Sequence, residues 1–380
     1  MTRETWDVIV VGLGAMGSAT LHELAHRGHR VLGLDQFAPP HGLGSSHGRS
    51  RIIREAYFED PRYVPLVQRA YERWHALEAE SGVTLLRRTG GLMIGAPDSA
   101  VVRGALLSAE RHGLQHQLLT ADDMRVSYPA HHLREHEVAV YEPRAGMLDP
   151  ERCIGVALDL ARRHGAEVRT GETLLSWHRD GAGVHVVTSE ATYRADRLVL
   201  SVGAWVGHVL RELALPFTVQ RNLLYWFAPA AHAAQFAAQR FPIFIHQLES
   251  GLAWYGFPDT GDGVKVALHH HGEAIDPGQP RPAVSDAEVA FMRRIVAERV
   301  PDANGTLRDS AVCMYTNLPD GHFLIDRHAD HPAVIIASPC SGHGFKFASA
   351  IGELLADMAT GQPIRFDTSL FSLARFAAPG

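Results

Sequence analysis

The chain has 380 residues, 46 % of them hydrophobic, enough for two domains with a large core, and its formal net charge of −6 argues against a nucleic-acid or anionic-membrane partner. No apolar run reaches the ~20 residues that a bilayer span needs, and a first strand starting at Asp7 leaves no room for a signal peptide, so a cytoplasmic protein is expected. The three cysteines, Cys153, Cys313 and Cys340, are too few and too unevenly spaced for a disulfide framework or a metal site.

Val8 to Val11 reads as a buried parallel strand that breaks at Gly12, Gly14 and Gly17 and turns helical through His26. A second apolar stretch, Val31 to Leu34, ends at Asp35. In this strand–turn–helix–strand unit, Gly12 permits the tight turn, Gly14 lets the backbone approach a pyrophosphate, and Gly17 lets helix pack on strand. The helix amino terminus offers N–H groups to the phosphates. Asp35 stands where an acid accepts ribose hydroxyls. The unit implies a dinucleotide and does not choose between NAD and FAD.

Pro61 to Glu80 follows as a helix whose Val64, Val67, Tyr71, Trp74 and Leu77 form an apolar, core-facing stripe. Strands are expected around Leu85 and over Leu92–Ile94, then a helix from Asp98 to His112. Asp149-Pro150, an N-cap followed by proline, starts a helix that stops at Gly165. A short strand near Val168 and a hairpin of Leu174–His178 with Val184–Val187 come next. A buried strand from Arg197 then runs into Gly203, where open α/β sheets place ligands. From Pro216 to Leu318 the pattern changes to short aromatic-rich strands, Leu223–Phe227, Phe241–His246, Ala253–Phe257 and Val264–Leu268. One helix interrupts them, opened by the capping box Ser285/Glu288. Val334–Ala337 returns to a buried strand, followed by the turn Ser341-Gly-His-Gly344 and a last helix to Met358. An α/β (α+β) fold is expected, a Rossmann-type dinucleotide-binding domain (1–85, 146–215 and 319–380) with an inserted antiparallel substrate domain (86–145 and 216–318).

Four clusters carry chemistry. In Gly44–Arg54, Arg51 and Arg54 lie three apart; on a helical turn both guanidiniums would converge as a carboxylate clamp, the alternative being a solvated basic loop. Lys265 sits in an apolar strand and shares a face with His269, unless the strand is an edge and the lysine points outward. Cys313, in a short apolar run, reads by itself as a small core residue. Glycines flanking His343 bring the backbone near a ligand, and Lys346 opens the last helix. Among 24 histidines the longest run is His269-His270-His271, whose neighbours alternate faces, so no metal site is expected.

Taken together, Ser50–Tyr57, Tyr255–Pro258, Val312–Tyr315 and Ser341–Phe347 resemble the monomeric sarcosine oxidase and N-methyltryptophan oxidase family of FAD amine oxidases, and the resemblance runs from Gly12 to the Phe-Ser-Leu-Ala-Arg375 tail. It implies FAD rather than NAD, with Cys313 joined through sulfur to the flavin 8α-methyl carbon. Arg54 and Lys346 match the pair that grips the substrate carboxylate. Lys265 matches the lysine near flavin N5 that speeds oxygen reduction, and Arg51 an arginine beside the ring. Tyr255, His269, Tyr315 and His343 match residues lining the amine pocket. Gly12, Gly14, Gly17, Asp35, Ser45, Gly342, Gly344 and Lys346 are the expected further cofactor contacts.

The implied reaction oxidises an N-methyl amino acid to the amino acid, formaldehyde and hydrogen peroxide, by a monomeric enzyme with oxygen as acceptor. Only a neutral amine can release a hydride, and a ring of Arg51, Arg54, Lys265 and Lys346 would disfavour its ammonium form. Cyclic secondary amino acids (pipecolate, proline) and glycated amino acids are alternative substrates. An NAD-dependent dehydrogenase or a non-catalytic flavin-binding protein are alternatives of another class. The chain departs from the family at Ser46, at Arg49 and at Ser338-Pro-Cys340, where Cys340 reads as core rather than pocket-lining.

Overall fold

The structure, a computed structural model, describes residues 5–376. Its first eight-stranded sheet is built on Thr5–Val11, whose last four residues are buried. On one side lie Val31–Asp35 and Glu167–Thr170, both parallel; on the other lies Thr192–Leu200, also parallel. Thr192–Leu200 branches. Its first half pairs with Gly183–Thr188 of the expected hairpin, and its second half runs parallel to Val334–Ser338, which in turn carries Leu324–Arg327. Strands from three stretches of sequence thus make one sheet, covered by helices Ala15–His26, Pro150–Arg163 and Ala348–Thr360.

Two of the first glycines are packing requirements. Gly12 has φ +88°, and a Cβ there would lie 2.4 Å from the Ser201 carbonyl oxygen; a Cβ on Gly17 would lie 1.8 Å from that of Gly12. Gly14 differs: its nearest neighbour would be Ser46 Oγ at 3.5 Å, so its missing side chain leaves open space. The Asp149 side chain accepts from the Arg152 N–H at 3.0 Å and caps its helix as expected.

The second eight-stranded sheet runs in the order Leu307–Asn317, Thr218–Phe227, Val264–His269, Ala253–Phe257, Ile243–Gln247, Gly91–Gly95, Val138–Glu142, Gln117–Leu119. Neighbours are antiparallel except Ile243–Gln247 with Gly91–Gly95, which is parallel. The expected purely antiparallel sheet is corrected there, because those two strands arrive from distant parts of the chain rather than through a hairpin. Helix Asp286–Arg299 starts at the Ser285/Glu288 capping box. Its Met292 and Val296 join Phe244, Trp254 and Leu92 in that sheet's core.

A three-stranded sheet, Arg51–Ile53, Gly146–Leu148 and Leu86–Arg88, corrects a second expectation. Arg51 begins a strand, not a helical turn, so spacing by three no longer points its guanidinium with that of Arg54. Val264–His269 is an interior strand, which disposes of an outward-pointing Lys265.

Candidate active site

Two adjoining cavities open at the carboxyl ends of the parallel strands. The first is lined by Gly12, Gly14, Asp35, Ser45, Ser46, Ser201 and Gly203. Asp35 is buried there; its Oδ2 accepts from the Leu13 N–H at 2.7 Å and its Oδ1 from the Phe37 N–H at 2.8 Å, which fixes the carboxylate at the end of its strand. Helix Ala15–His26 begins at this cavity, and its N-cap, Gly14, supplies no capping side chain. Ser46 Oγ accepts from the Ala15 N–H at 3.3 Å, and beside it the Gly14 turn and the remaining N–H groups of the helix end form a cradle fit for a pyrophosphate.

The second cavity continues from the first. It gathers Ser45, Arg51, Arg54, Tyr255, His269, Cys313, Tyr315, Gly342, His343, Gly344 and Lys346. Nearly every expected site residue is therefore brought together. Three polar atoms of this lining, Ser45 Oγ, Arg54 Nε and Thr316 Oγ1, are buried with no hydrogen-bond partner. Such groups fit a polar ring lying between them.

Cys313 lies in the long strand Leu307–Asn317, opposite Asn222. Burial pushes its thiol up, yet the Arg51 guanidinium and the His47 imidazole outweigh burial and bring it down to about 6. Arg51 Nη2 is 3.5 Å from Sγ and donates to the Ser45 carbonyl at 2.8 Å. A thiol lowered by a neighbouring guanidinium has the environment of a reactive cysteine rather than that of an inert buried one. Cys340 is the contrast. It lines both cavities, correcting its assignment to the core, and burial pushes its thiol up to about 11, where it stays neutral.

Lys265 is buried beside Arg51 and the Gly48–Ser50 loop and is not itself a lining residue of this cavity. Its Nζ donates to the carbonyls of Gly48 (2.7 Å) and Ser50 (2.8 Å) and to Ser50 Oγ (3.1 Å), and lies over the Phe257 ring. Burial first, and Arg51 second, hold its pKa well below the usual lysine value. Glu151 accepts from the Gly48 N–H (2.6 Å) and the Arg49 N–H (3.1 Å), and Arg49 bonds Asp309 and covers Trp226. The loop that receives Lys265 is thus tied at both flanks.

Arg54 is fully buried, and its Nη2 is bonded to both oxygens of Glu59, at 2.8 and 2.6 Å. Burial would raise the Glu59 carboxyl, but Arg54, His343 and Lys346 hold it down at about 2. Lys346 Nζ donates to the His343 carbonyl at 2.7 Å; burial and the Arg54 charge lower it to about 7. The expected ring of fixed positive charge is corrected accordingly. Arg51 remains a cation, Arg54 is balanced by Glu59, and burial works against the ammonium form of both lysines, although Lys265 Nζ has three acceptors, one for each ammonium proton.

The opposite wall is a neutral hydrogen-bonded row. Tyr255 and Tyr315 hydroxyls are 3.3 Å apart, and Tyr315 Oη is 3.4 Å from His269 Nδ1. Burial raises both phenols and lowers His269. Gly342 makes this wall possible: its φ is +77°, and a Cβ would sit 2.7 Å from the Tyr315 ring. His343 lines the cavity with both nitrogens engaged, Nε2 with the Gly321 carbonyl (2.9 Å) and Nδ1 with the Tyr57 hydroxyl (2.5 Å). The carbonyl fixes the proton on Nε2, so Tyr57 donates to Nδ1. Burial lowers His343 to about 4, which leaves it a neutral fixture and not a free base.

Glu59, Tyr57 and His47 are not evident from the sequence. Glu59 carries one available signal, a carboxylate five residues after a clamp arginine. Nothing in the pattern marks Tyr57 as the partner of a histidine 286 positions away.

The FAD dependent oxidoreductase family profile matches residues 7–358. Over 98 % of both chains, the sequence is 44 % identical to a monomeric sarcosine oxidase of Streptomyces avermitilis. This chain belongs to the FAD-dependent oxidoreductases, in the group of the monomeric sarcosine and N-methyltryptophan oxidases. Other relatives in that family are a monomeric sarcosine oxidase of a Bacillus species (38 % identity over 98 % of this chain and 97 % of the relative) and an N-methyl-L-tryptophan oxidase of Yersinia pestis (34 % over 98 % and 99 %). Among solved structures, the amino acid oxidase NikD of nikkomycin biosynthesis superposes with a TM-score of 0.86 at 22 % identity, covering 97 % of each chain. L-proline dehydrogenase from P. horikoshii gives 0.84 at 20 % identity, covering 98 % of each. These two share the fold. Membership in the family makes FAD the dinucleotide that the glycine turn alone left open. Among the described residues no helix is long and apolar enough to cross a membrane.

Proposed function

We propose that this chain is an oxidase of small N-methyl amino acids of the sarcosine type, acting as a monomer with FAD tethered through Cys313 and oxygen as acceptor. The observation that carries the reading is one cavity holding an activated thiol, Cys313, together with the Arg54–Lys346 pair and the neutral Tyr255–Tyr315–His269 wall. Relatives at 44 and 38 % identity are sarcosine oxidases and at 34 % both kinds occur, which supports a small substituent. Bound FAD supplies a two-electron acceptor that takes a hydride equivalent from the N-methyl carbon and passes the electrons to oxygen.

The residues bind and orient. A substrate carboxylate competes with Glu59 for the Arg54 guanidinium, and its charge returns Lys346 to the ammonium form; together they fix the substrate's anionic end. Tyr255, Tyr315 and His269 present a wall without charge, so the secondary amine gains no counter-ion there and its neutral form is favoured. His343 and Tyr57 brace the turn that carries Lys346 and Gly342, and no side chain is required as a strong base. Cys313 would hold the FAD ring, with Arg51 keeping its sulfur ionised; a thioether at the flavin methyl carbon would form with loss of a methyl proton and of two electrons that pass through the flavin to oxygen. Lys265, seated between Arg51 and the Gly48–Ser50 loop, is placed to stabilise negative charge arriving on oxygen.

A peroxide-release screen over sarcosine, N-methyltryptophan and pipecolate tests the proposal. Turnover fastest with sarcosine, with formaldehyde equal to peroxide, is expected. Pipecolate turning over in preference, or no peroxide from any secondary amino acid, would overturn it.

A further inference from the structure

Helix Ala15–His26 starts at the cofactor cradle and ends at the opposite surface, and its second half carries two histidines. His22 and His26, at i and i+4, share one face. Glu80, near the end of helix Val64–Ser81, and His164, the C-cap of helix Pro150–Arg163, meet that face. One potential ligand atom from each of the four residues lies within 4.8 Å of all the others. His22 Nε2 is 3.2 Å from Glu80 Oε2, and His26 Nδ1 is 3.3 Å from His164 Nε2. His164 Nε2 lies 2.6 Å from Glu80 Oε1.

Four tetrahedral ligands at zinc bond lengths of about 2.0–2.1 Å stand about 3.3 Å from one another. The His22–Glu80 and His26–His164 separations match that edge with no metal present, while from Glu80 Oε1 the His164 contact of 2.6 Å must open and the His26 contact of 3.8 Å must close. The nearby arginines Arg27 and Arg73 turn to Glu23 and not to Glu80, which leaves the Glu80 carboxylate among imidazoles. Two imidazole nitrogens that face each other at 3.3 Å share one proton at most, whereas a cation satisfies both lone pairs.

We propose that His22, His26, Glu80 and His164 bind one divalent transition-metal ion of the zinc class. Three imidazoles with one carboxylate suit zinc, cobalt or nickel; magnesium and calcium want oxygen ligands. Four protein ligands fill a tetrahedral shell, so the site is structural and not catalytic. It ties together the ends of three helices that pack beneath the cofactor cradle, and it lies a helix length from the reacting groups.

The test uses the tag-free holoenzyme, stripped with a chelator and dialysed. Zinc titrated by calorimetry is expected to bind at one equivalent. His26→Gln and His164→Gln, whose side chains are 51 % and 33 % exposed and can change without unfolding the protein, should each weaken that binding at least tenfold. Cobalt in place of zinc should give the visible absorption of a four-coordinate ion, and magnesium should not bind. At zinc concentrations about 100-fold above Kd, Tm should rise by about 2 °C or more in the native protein and not in the variants. Absence of stoichiometric binding, or binding that both variants retain unchanged, would overturn the proposal; the second result would place the ion elsewhere.

Discussion

Replacing Arg51 with glutamine removes the group that does most to keep the Cys313 sulfur ionised. Burial alone drives this thiol above its ordinary 9.0, and Arg51, with His47, brings it to about 6. At pH 7.5 a thiol titrating at 6 is about 97 % thiolate, and one returned to 9 is about 3 %, a loss of about 30-fold in nucleophile. A second effect opposes the first. A thiolate whose pKa rises by about three units becomes intrinsically more reactive, by about 20-fold at a Brønsted slope near 0.45. The two nearly cancel at neutral pH, so a single rate is a poor readout and the pH profile is the decisive one. Apoprotein from riboflavin-starved cells would be incubated with FAD between pH 5 and 10, and the flavin that survives acid precipitation followed with time. The midpoint of the incorporation rate is expected near 6 in the native chain and clearly higher in Arg51→Gln, where His47 alone of the two neighbours opposes burial, with a higher plateau in the variant. Arg51→Lys, which keeps a cation, should fall between. An unmoved midpoint would refute the assignment of the thiol's ionisation to Arg51. Retention of acid-stable flavin in Cys313→Ala would refute Cys313 as the tether.

Three further outcomes follow from the charge pattern of the cavity. Glu59→Gln frees the Arg54 guanidinium from its competitor, so a carboxylate ligand should bind about tenfold tighter, the order of one charged hydrogen bond; weaker binding would show that Glu59 holds Arg54 ready instead. Lys346 is lowered to about 7, so its ammonium is present below that pH and lost above it. Affinity for propionate, which has no amine of its own to titrate, should therefore fall as pH rises through about 7, with proton uptake on binding above that point; a profile identical to that of Lys346→Met would count against the clamp. Lys265→Met should accept electrons from substrate at a near-native rate and return them to oxygen more slowly, on the order of 100-fold, as stopped-flow reoxidation would show. Unchanged reoxidation ends that role for Lys265.

Local signals with a physical cause read correctly from sequence. The Gly12–Gly17 turn, the Asp149-Pro150 start and the Ser285/Glu288 box all depend on residues within a few positions of one another. The core stripe of helix Val64–Ser81 is legible in the same way, though its Trp74 also reaches beyond the core, where Nε1 donates to the Lys346 carbonyl at 2.8 Å and steadies the clamp. Long-range pairings do not read. Strand Arg51–Ile53 is three residues long, shows no periodicity, and pairs with Gly146–Leu148, which no local pattern announces. The two clamp arginines are visible as a pair, but not that Glu59 neutralises one of them, because a charge balance depends on packing rather than on spacing. The His22–His26–Glu80–His164 group is hidden for the same reason. Glu80 lies 58 positions from His22, and His164 lies 138 from His26, whereas ligand spacing is legible only where the ligands are close in sequence.

The central claim is that this cavity oxidises an N-methyl amino acid through its flavin, and anaerobic mixing tests it most directly. Native, flavin-loaded enzyme mixed with sarcosine without oxygen should lose its visible flavin absorbance. Admitting air should restore the colour with one equivalent of peroxide released. A spectrum that sarcosine and N-methyltryptophan leave unchanged would contradict the account.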